Sequence, residues 1–424
     1  MKKIRWTAIS LLIVTGLVGC KGADSKAGLW PQWRGVGGTG ISSEIGLPTE
    51  WSEDEGIRWN LELPGTGTSS PIVGHENAYV TLVSGSAKSA AFALLAVGLA
   101  DGEIAWRTDL FERRRGRTHR LNTPAGSTPA TDGEHIFAYF GSHLAAVDLE
   151  GGIVWVEEID EEYLDRSRYG AGSSLILVDD KVIVFQDRER VADEVGWLAA
   201  YSKATGERLW RVEWDHTCCA YTTPLELVTR GHKQIFIGHA REVAGYDPDT
   251  GEKLWTRPQE MNQPVASPVI EGDLMCTSSG AHGERETVCR RISHDGDDYV
   301  IEDLWRTKKY VPGTPSPVLH QGRLYIVTEK GIAVCFNAET GERLWRERLP
   351  GRGFNASLVL GDGKIYAAGH DTVAVIAAAP EFELLADNPL PHSGVVASPA
   401  LAAGCLLVRS QRNLMCIEGT AGTS

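Results

Sequence analysis

The sequence lacks long apolar segments after its first residues, and it lacks an excess of positive charge. The apolar run over residues 7–18 is shorter than the ~20 residues that a helix needs to span a bilayer, which argues against a membrane-spanning helix. The net charge of −14 argues against a nucleic-acid partner, because phosphate binding depends on basic surface. A 424-residue chain also exceeds one ordinary core, so several domains or a repeat architecture are expected.

The first twenty residues have the pattern of an export signal. The basic start MKKIR precedes the apolar run, which ends in LVGC (17–20). A small residue before a cysteine at this point is typical of a bacterial lipobox, although an ordinary cleavage site with an incidental cysteine is the alternative. We predict a lipoprotein signal peptide over 1–19, lipidation of Cys20 and a lipid-anchored tether over 20–56. Because Lys21 rather than Asp follows, we expect an outer-membrane lipoprotein that faces the periplasm.

Two features recur along the rest of the chain at intervals of roughly 45 residues, the period of a propeller blade. The first is a tryptophan that follows a Thr-Gly turn in copies such as YDPDTGEKLW (246–255) and FNAETGERLW (336–345). Gly takes the positive φ of such a turn, and tryptophans at a fixed repeat spacing are typical of a packed core. The seven tryptophans are Trp59, Trp106, Trp155, Trp210, Trp255, Trp305 and Trp345.

The second feature is a Ser/Thr pair or Ala-Ser step, usually followed by proline, which opens an apolar strand. Its eight copies include SSPIV (69–73), TTPLEL (222–227) and ASPAL (397–401), and each is followed by turn residues and a β-rich run. Each unit therefore predicts four antiparallel strands. We predict an all-β fold, an eight-bladed β-propeller of four-stranded antiparallel blades over residues 57–419, with a tail over 420–424.

The ends of the repeat predict how the ring closes. The eighth unit stops after its third strand, while GIRWNLELP (56–64) is a fourth strand with no blade before it. We therefore predict that the N-terminal strand completes the last blade. The seventh unit has no repeat tryptophan, and EFELLADNPL (381–390) is predicted to supply its outer strand.

The Thr-Gly-x-x-x-Trp repeats resemble the tryptophan-docking motifs of the PQQ-binding-like, or quinoprotein-type, eight-bladed propellers across 57–419. The segments LWPQWRGVGGTG (29–40) and LPTEW (47–51) are similar to the opening of lipoprotein-like members. The resemblance implies that the seven tryptophans pack between neighbouring blades. It extends to BamB-like lipoproteins, which implies a non-catalytic binding or scaffold protein in outer-membrane protein assembly.

Loops that link the blades are expected to surround the central channel on one face, where propellers bind ligands and partners. Among them, the arginine-rich loop that follows residue 112 is either simply solvated or a contact for an acidic partner, a lipid headgroup or an anionic glycan. The candidate ligand or partner face comprises Arg113, Arg114, Arg115, Arg117, Arg120, Asn122, Arg168, Tyr169, Asp215, His216, Cys218, Cys219, Asn262, Asn355 and His392.

The adjacent cysteines Cys218 and Cys219 raise the question of catalysis. In the quinoprotein dehydrogenases of the family, a ring of vicinal cysteines lies against PQQ, and Glu and Asn side chains bind calcium. Here the loops are short and their carboxylates and amides form no recognisable metal arrangement. A vicinal bridge is also strained, because adjacent Cα atoms lie about 3.8 Å apart whereas disulfides prefer about 4.4–6.8 Å. A metal site with His216 would need further ligands from other loops.

The remaining cysteines allow two readings. Cys276 and Cys289 are symmetric about one hairpin, and Cys405 and Cys416 about another, so either pair could form a cross-strand disulfide or stay as buried thiols. Cys335 occupies an inward strand position and is expected to be inert.

The residues therefore favour a monomeric, non-catalytic propeller with no cofactor and no metal, anchored by lipid and bound to a periplasmic or outer-membrane protein. The alternative is a PQQ- and calcium-dependent dehydrogenase of alcohols or sugars. A third class is capture of carbohydrate or peptide at the channel mouth without turnover.

Overall fold

The structure, a computed structural model, describes residues 28–116, 118–163, 169–187, 195–214, 220–261, 263–280, 284–296 and 298–419. In them, β-strands form eight four-stranded antiparallel sheets, each built from strands consecutive in the chain except at the closure. The predicted all-β, eight-bladed propeller is confirmed. Within the described residues, no helix is long and apolar enough to cross a membrane.

Blades are numbered in chain order, and the strands of each blade run from the channel outwards. Blade 1 consists of β2 (Ile72–Gly74), β3 (Asn77–Gly85), β4 (Ala90–Gly98) and β5 (Ile104–Arg113). Blade 2 consists of β6 (Ala130–Thr131), β7 (His135–Tyr139), β8 (His143–Asp148) and β9 (Ile153–Glu158). Blade 3 consists of β10 (Ile176–Val178), β11 (Lys181–Gln186), β12 (Gly196–Ser202) and β13 (Arg208–Trp214). Blade 4 consists of β14 (Leu225–Thr229), β15 (His232–Gly238), β16 (Glu242–Tyr246) and β17 (Lys253–Pro258).

Blade 5 consists of β18 (Val269–Glu271), β19 (Leu274–Ser279), β20 (Glu286–Asp295) and β21 (Asp298–Thr307). Blade 6 consists of β22 (Val318–His320), β23 (Arg323–Val327), β24 (Ile332–Asn337) and β25 (Arg343–Arg348). Blade 7 consists of β26 (Val359–Gly361), β27 (Lys364–Ala368), β28 (Thr372–Ala377) and β29 (Leu384–Pro389). Blade 8 consists of β30 (Ala400–Ala402), β31 (Cys405–Arg409) and β32 (Asn413–Glu418), completed by β1 (Ile57–Glu62).

The tryptophans join neighbouring blades through one repeated contact. In six of the seven, the indole Nε1–H donates to a backbone carbonyl of the next blade at 2.7–3.2 Å. Trp210, for example, donates to the carbonyl of Pro248, and its ring lies over Gly251 of the same Thr-Gly turn. A register shift occurs in the pairing of each outer strand with its neighbour close to this position, as between Ala200 and Tyr201. Such bulges re-aim a side chain, here towards the adjacent blade.

Trp255 is the exception because blade 5 lacks a Thr-Gly turn. In blade 5, the long hairpin of β20 and β21 turns at Asp295 and Gly296 instead. Trp255 Nε1 donates to Gln234 Oε1 of its own blade at 2.6 Å.

The ring closes as predicted. β1 pairs antiparallel with β32, and Trp59 lies opposite Cys416. Arg409, which is fully buried, donates from blade 8 to the carbonyls of Ser69 and Thr81 in blade 1. The predicted outer strand of the seventh blade is also present as β29, and Phe382 packs against Trp345 at 5.3 Å.

Residues 28–56, part of the segment that we predicted as a tether, pack against the propeller. Trp30 is buried and exchanges two backbone hydrogen bonds with Val73 of blade 1. Gly40 accepts from Leu360 of blade 7, and the buried Arg34 donates to the carbonyls of Pro317 and Leu358. Burial lowers the pKa of Arg34 to about 9. Contacts with the inner strands of several blades place this segment across one end of the channel.

The cysteines differ between the two hairpins. Cys276 and Cys289 lie directly opposite each other on β19 and β20 and form a disulfide. Cys405 and Cys416 are free and buried. They do not lie directly opposite each other on the paired strands β31 and β32, because Cys405 lies opposite Glu418. Burial raises the pKa of Cys335 to about 12, consistent with the expected inertness of that thiol.

Candidate functional site in the central channel

The Ser/Thr residues that open the inner strands form a ring around the channel. The backbone N–H of one residue donates to the side-chain oxygen of the equivalent residue in the next blade, in seven bonds of 2.8–3.1 Å. A hydroxyl oxygen can accept this bond, whereas alanine or valine cannot, which explains the recurrence of Ser and Thr. We call these residues the hydroxyl ring: Ser70, Thr128, Ser174, Thr223, Ser267, Ser316, Ser357 and Ser398.

The hydroxyl ring lines a cavity of about 390 Å³. Trp33, from the segment that crosses the channel, contributes to the wall, and its neighbour Arg34 is held by carbonyls of blades 6 and 7. Aromatic surface is also supplied by Tyr169 and Tyr221, whose rings meet edge to face at 5.7 Å.

Three residues of the predicted candidate face line this cavity. Asn122 connects two loops, because its Oδ1 accepts from Thr68 Oγ1 and its Nδ2 donates to the carbonyl of Tyr169, both at 2.5 Å. Asn355 Oδ1 accepts from Thr314 Oγ1 at 3.2 Å. The two asparagines therefore hold loops together at the cavity wall, and Tyr169 is the third member.

The described arginines of the basic loop do not line the cavity. Arg113 donates to the carbonyl of Glu161 at 2.7 Å, and Arg115 donates to Thr66 Oγ1 at 2.8 Å. Arg114 and Arg120 are exposed. His392 also lies elsewhere, with its Nε2 at 2.9 Å from Asn60 Nδ2 on β1.

The other predicted positions lie outside the described residues. They are Cys20, Arg117, Arg168, Asp215, His216, Cys218, Cys219 and Asn262. Immediately after the cysteine pair, Ala220 donates its N–H to Asp187 Oδ2 at 3.0 Å, and Tyr221 donates to the carbonyl of Pro264 at 2.8 Å.

The described lining does not fit PQQ and calcium. Calcium takes 6–8 oxygen ligands with carboxylates among them, and PQQ itself is anionic. In the described part of the chain, the cavity wall carries no Asp, Glu, Lys or Arg, and no group of three His, Cys, Asp or Glu side chains could hold a metal ion. We therefore derive no redox step through this cofactor.

Sequence reasoning missed the hydroxyl ring, Trp33 and Gln263 as cavity residues. The signal for the ring was present, because a Ser or Thr occupies the same place in all eight units. Its role depends on the next blade, which becomes adjacent only in the closed ring. Gln263 has no repeat counterpart, and its left-handed backbone (φ 52°) is visible only in the structure.

Comparison with known proteins agrees with this architecture. A family profile described as outer membrane protein assembly factor BamB matches residues 90–297 and 302–385. No curated protein sequence matches the chain.

Two solved structures illustrate the likeness of fold. BamB from Moraxella catarrhalis is 14% identical, with a TM-score of 0.57 over 85% of this chain and 99% of that one. Quinohemoprotein alcohol dehydrogenase from Comamonas testosteroni is 13% identical, with a TM-score of 0.63 over 94% of this chain and 82% of that one. At such identities the likeness shows the fold alone, whereas the profile covers most of the chain. The chain thus belongs to the family described as outer membrane protein assembly factor BamB.

Proposed function

We propose that this protein is a non-catalytic, lipid-anchored scaffold of the cell envelope that binds a protein partner in outer-membrane protein assembly. The observation that carries the proposal is the construction of the loop face. Asn122 and Asn355 tie neighbouring loops together, while Arg114 and Arg120 stay exposed in the same loop as Asn122. A rigid face with exposed arginines on a protein of net charge −14 favours docking of an acidic partner surface. Membership of the BamB family supports the assembly role.

The partner surface is tested by charge reversal at two exposed arginines. The double variant Arg114→Glu/Arg120→Glu should lose crosslinking to outer-membrane assembly components and lower outer-membrane protein levels as a deletion does. The matched control is Arg208→Glu/Arg346→Glu, which makes the same charge change on the outer strands β13 and β25. Normal outer-membrane protein levels in a deletion strain, with no assembly component recovered, would contradict the proposal.

The lipid anchor is tested separately. Cys20→Ser should leave the protein unacylated, which is read by mass spectrometry of the mature N-terminus, and should move it from the membrane to the soluble periplasmic fraction. Membrane association that is unchanged in Cys20→Ser would show that another feature holds the protein there.

The alternative, a PQQ- and calcium-dependent dehydrogenase, is tested by cofactor titration. We expect no quinone absorbance on the purified protein after PQQ and Ca²⁺ are added, and no dye reduction with an alcohol or a sugar. Stoichiometric PQQ binding with turnover would replace the scaffold proposal.

A further inference from the structure

The channel cavity has hydrogen-bonding capacity that the fold does not use. In the hydroxyl ring, seven of the eight side-chain oxygens accept a backbone N–H bond, but within the described residues no hydrogen bond leaves any of these hydroxyls. Each Ser or Thr hydroxyl carries one O–H donor besides its lone pairs. The ring therefore presents a circle of O–H donors to the cavity, which the stability of the ring alone does not require.

Gln263 adds a side chain with unused hydrogen-bonding capacity. Its backbone is in the left-handed region at φ 52°, as it is for eight other described non-glycine residues, so the side chain rather than the backbone marks this position. The half-buried side chain lines the cavity, and its amide has no hydrogen-bond partner among the described residues. Gln263 thus presents an uncommitted amide, with donors and an acceptor, to the cavity.

The chemistry of the wall limits the ligand. The described lining holds no Asp, Glu, Lys or Arg, and its one histidine, His119, is exposed, so an anion or a cation inside the cavity would be desolvated without a buried counter-charge, which is costly. A purely apolar ligand would displace water from the ring hydroxyls and from Gln263 without replacing the hydrogen bonds that the water made. The ring O–H groups need several closely spaced acceptor oxygens; a saccharide carries an oxygen on nearly every carbon, whereas a peptide carries one backbone carbonyl per residue.

We propose that the cavity between Trp33, Tyr169, Gln263 and the hydroxyl ring binds an uncharged saccharide. Sugar hydroxyls both accept from the ring O–H groups and donate to the Gln263 carbonyl, and the C–H faces of a pyranose pack on the aromatic rings. The volume of about 390 Å³ lies within the range of small-ligand sites, roughly 300–1,000 Å³. This site is separate from the arginine surface of the proposed function, and neither depends on the other.

The test uses the full-length protein in a detergent that has no sugar headgroup. Cellobiose, maltose and N,N′-diacetylchitobiose are titrated by calorimetry and saturation-transfer NMR. Saturable binding of at least one of them is expected. Gln263→Ala should weaken it about tenfold, the effect of losing roughly one hydrogen bond, and Tyr169→Ala should weaken it at least as much.

The matched control is Gln321→Ala. Gln321 also has a left-handed backbone (φ 50°) but lies in the turn between β22 and β23, outside the cavity lining. Gln321→Ala should bind the sugar as the wild type does. Thermal unfolding should confirm that all three variants are folded. The proposal is overturned if none of the three sugars binds, if Gln263→Ala and Tyr169→Ala bind as Gln321→Ala does, or if tetraglycine or PQQ binds in their place.

Discussion

At the scale of single residues, one hydroxyl in each blade determines how the inner strands meet. Ser316, for example, accepts from the N–H of Ser267 at 2.9 Å and donates its own N–H to Ser357 Oγ at 3.0 Å. Both of these partners are buried, so a lost acceptor is not replaced by bulk water. The hydroxyl ring is therefore a stabilising element whose members act in series around the channel.

Ser316→Ala should destabilise the protein by about 1–3 kcal/mol, because the buried N–H of Ser267 loses its acceptor. Urea unfolding followed by tryptophan fluorescence measures the loss. Ser316→Thr is the control and should be close to wild type, since Thr128 and Thr223 occupy the equivalent place in other blades. Equal destabilisation by both substitutions would indicate a packing effect rather than a lost acceptor.

His143 makes a second residue-scale prediction. Burial, with a smaller contribution from the charge of Arg113, lowers its pKa from 6.5 to about 4, and its ring stacks on Phe111 at 3.8 Å. Between pH 6.5 and 4 the unfolded chain binds a proton at this residue that the folded protein does not. Stability should therefore fall as the pH is lowered through that window and level off below it.

The measurement is the free energy of unfolding as a function of pH for the wild type and His143→Gln. The variant should lack the contribution of His143 to the pH dependence of the free energy of unfolding. The difference in this free energy between the wild type and His143→Gln should therefore change between pH 6.5 and 4. Parallel curves across this window would show that His143 titrates normally in the folded protein.

At the residue scale, the tryptophan positions could be predicted but the hydroxyl roles could not. A tryptophan repeated after a Thr-Gly turn has a single common explanation, which is packing. A Ser or Thr before proline is also compatible with the simple start of a strand. Only the position of the neighbouring blade distinguishes that role from the role of hydrogen-bond acceptor. For Gln263, no local pattern predicts a left-handed backbone.

At the scale of the turns and strands, the Thr-Gly turn and the tryptophan of the preceding blade form one unit. Asp247 Oδ1 accepts from the N–H groups of Asp249 and Thr250, which shapes the turn. Gly251 follows at φ 74°, and a Cβ atom there would lie 2.7 Å from the Trp210 ring. The glycine is thus required both by the backbone and by the indole that lies over it.

Gly251→Ala should be more destabilising than Gly272→Ala, and the comparison separates the two requirements. Gly272 also has a positive φ, 62°, but a Cβ there would meet no atom within 4 Å. Gly272→Ala should cost about 1 kcal/mol for the backbone alone, and Gly251→Ala should cost at least about 1 kcal/mol more, because the indole must move. Thermal and urea unfolding measure both, and equal losses would contradict the packing role.

The number and order of the strands could be predicted, whereas the bulges could not. Each repeat carried four strand patterns separated by turn residues, which led to the correct sheets. The register shifts beside the tryptophans, and the 10-residue strands β20 and β21, arise from pairing geometry that turn residues do not encode. The different partner of Trp255 follows from that long hairpin.

At the scale of the whole molecule, stability depends on closure of the ring between the two ends of the propeller. β1 covers the edge of β32, and Arg409 joins blade 8 to blade 1 from inside. Without β1, the edge of β32 would expose unpaired backbone groups that can pair with another chain.

Deletion of residues 57–62 should cause the protein to oligomerise and should expose the backbone edge of β32. Size-exclusion chromatography with light scattering measures the first effect, and faster amide exchange in blade 8 than in blade 4 measures the second. The comparison variant removes residues 28–47 and keeps β1, so it should retain a closed ring. A monomeric deletion protein with uniform amide exchange would show that closure does not depend on β1.

The blade number and the closing strand were predictable because both follow from counting repeat units. The position of residues 28–56 was not, since LWPQWRGVGGTG has no internal repeat, and its contacts are made with strands from several distant units. Burial of Trp30 and Arg34 depends on an assembled ring, which provides the surface on which they pack.

The closing strand also has a consequence for the timing of biosynthesis. Arg58 and Glu418, which form an ion pair across the closure, are 360 residues apart in the chain. At roughly 5–20 residues per second, β1 therefore waits on the order of 20–70 s after its own synthesis before its partner strand is translated. Until that partner strand is available the ring cannot close, and for the exported protein of our proposed function we expect chaperones to be needed most for the last blade.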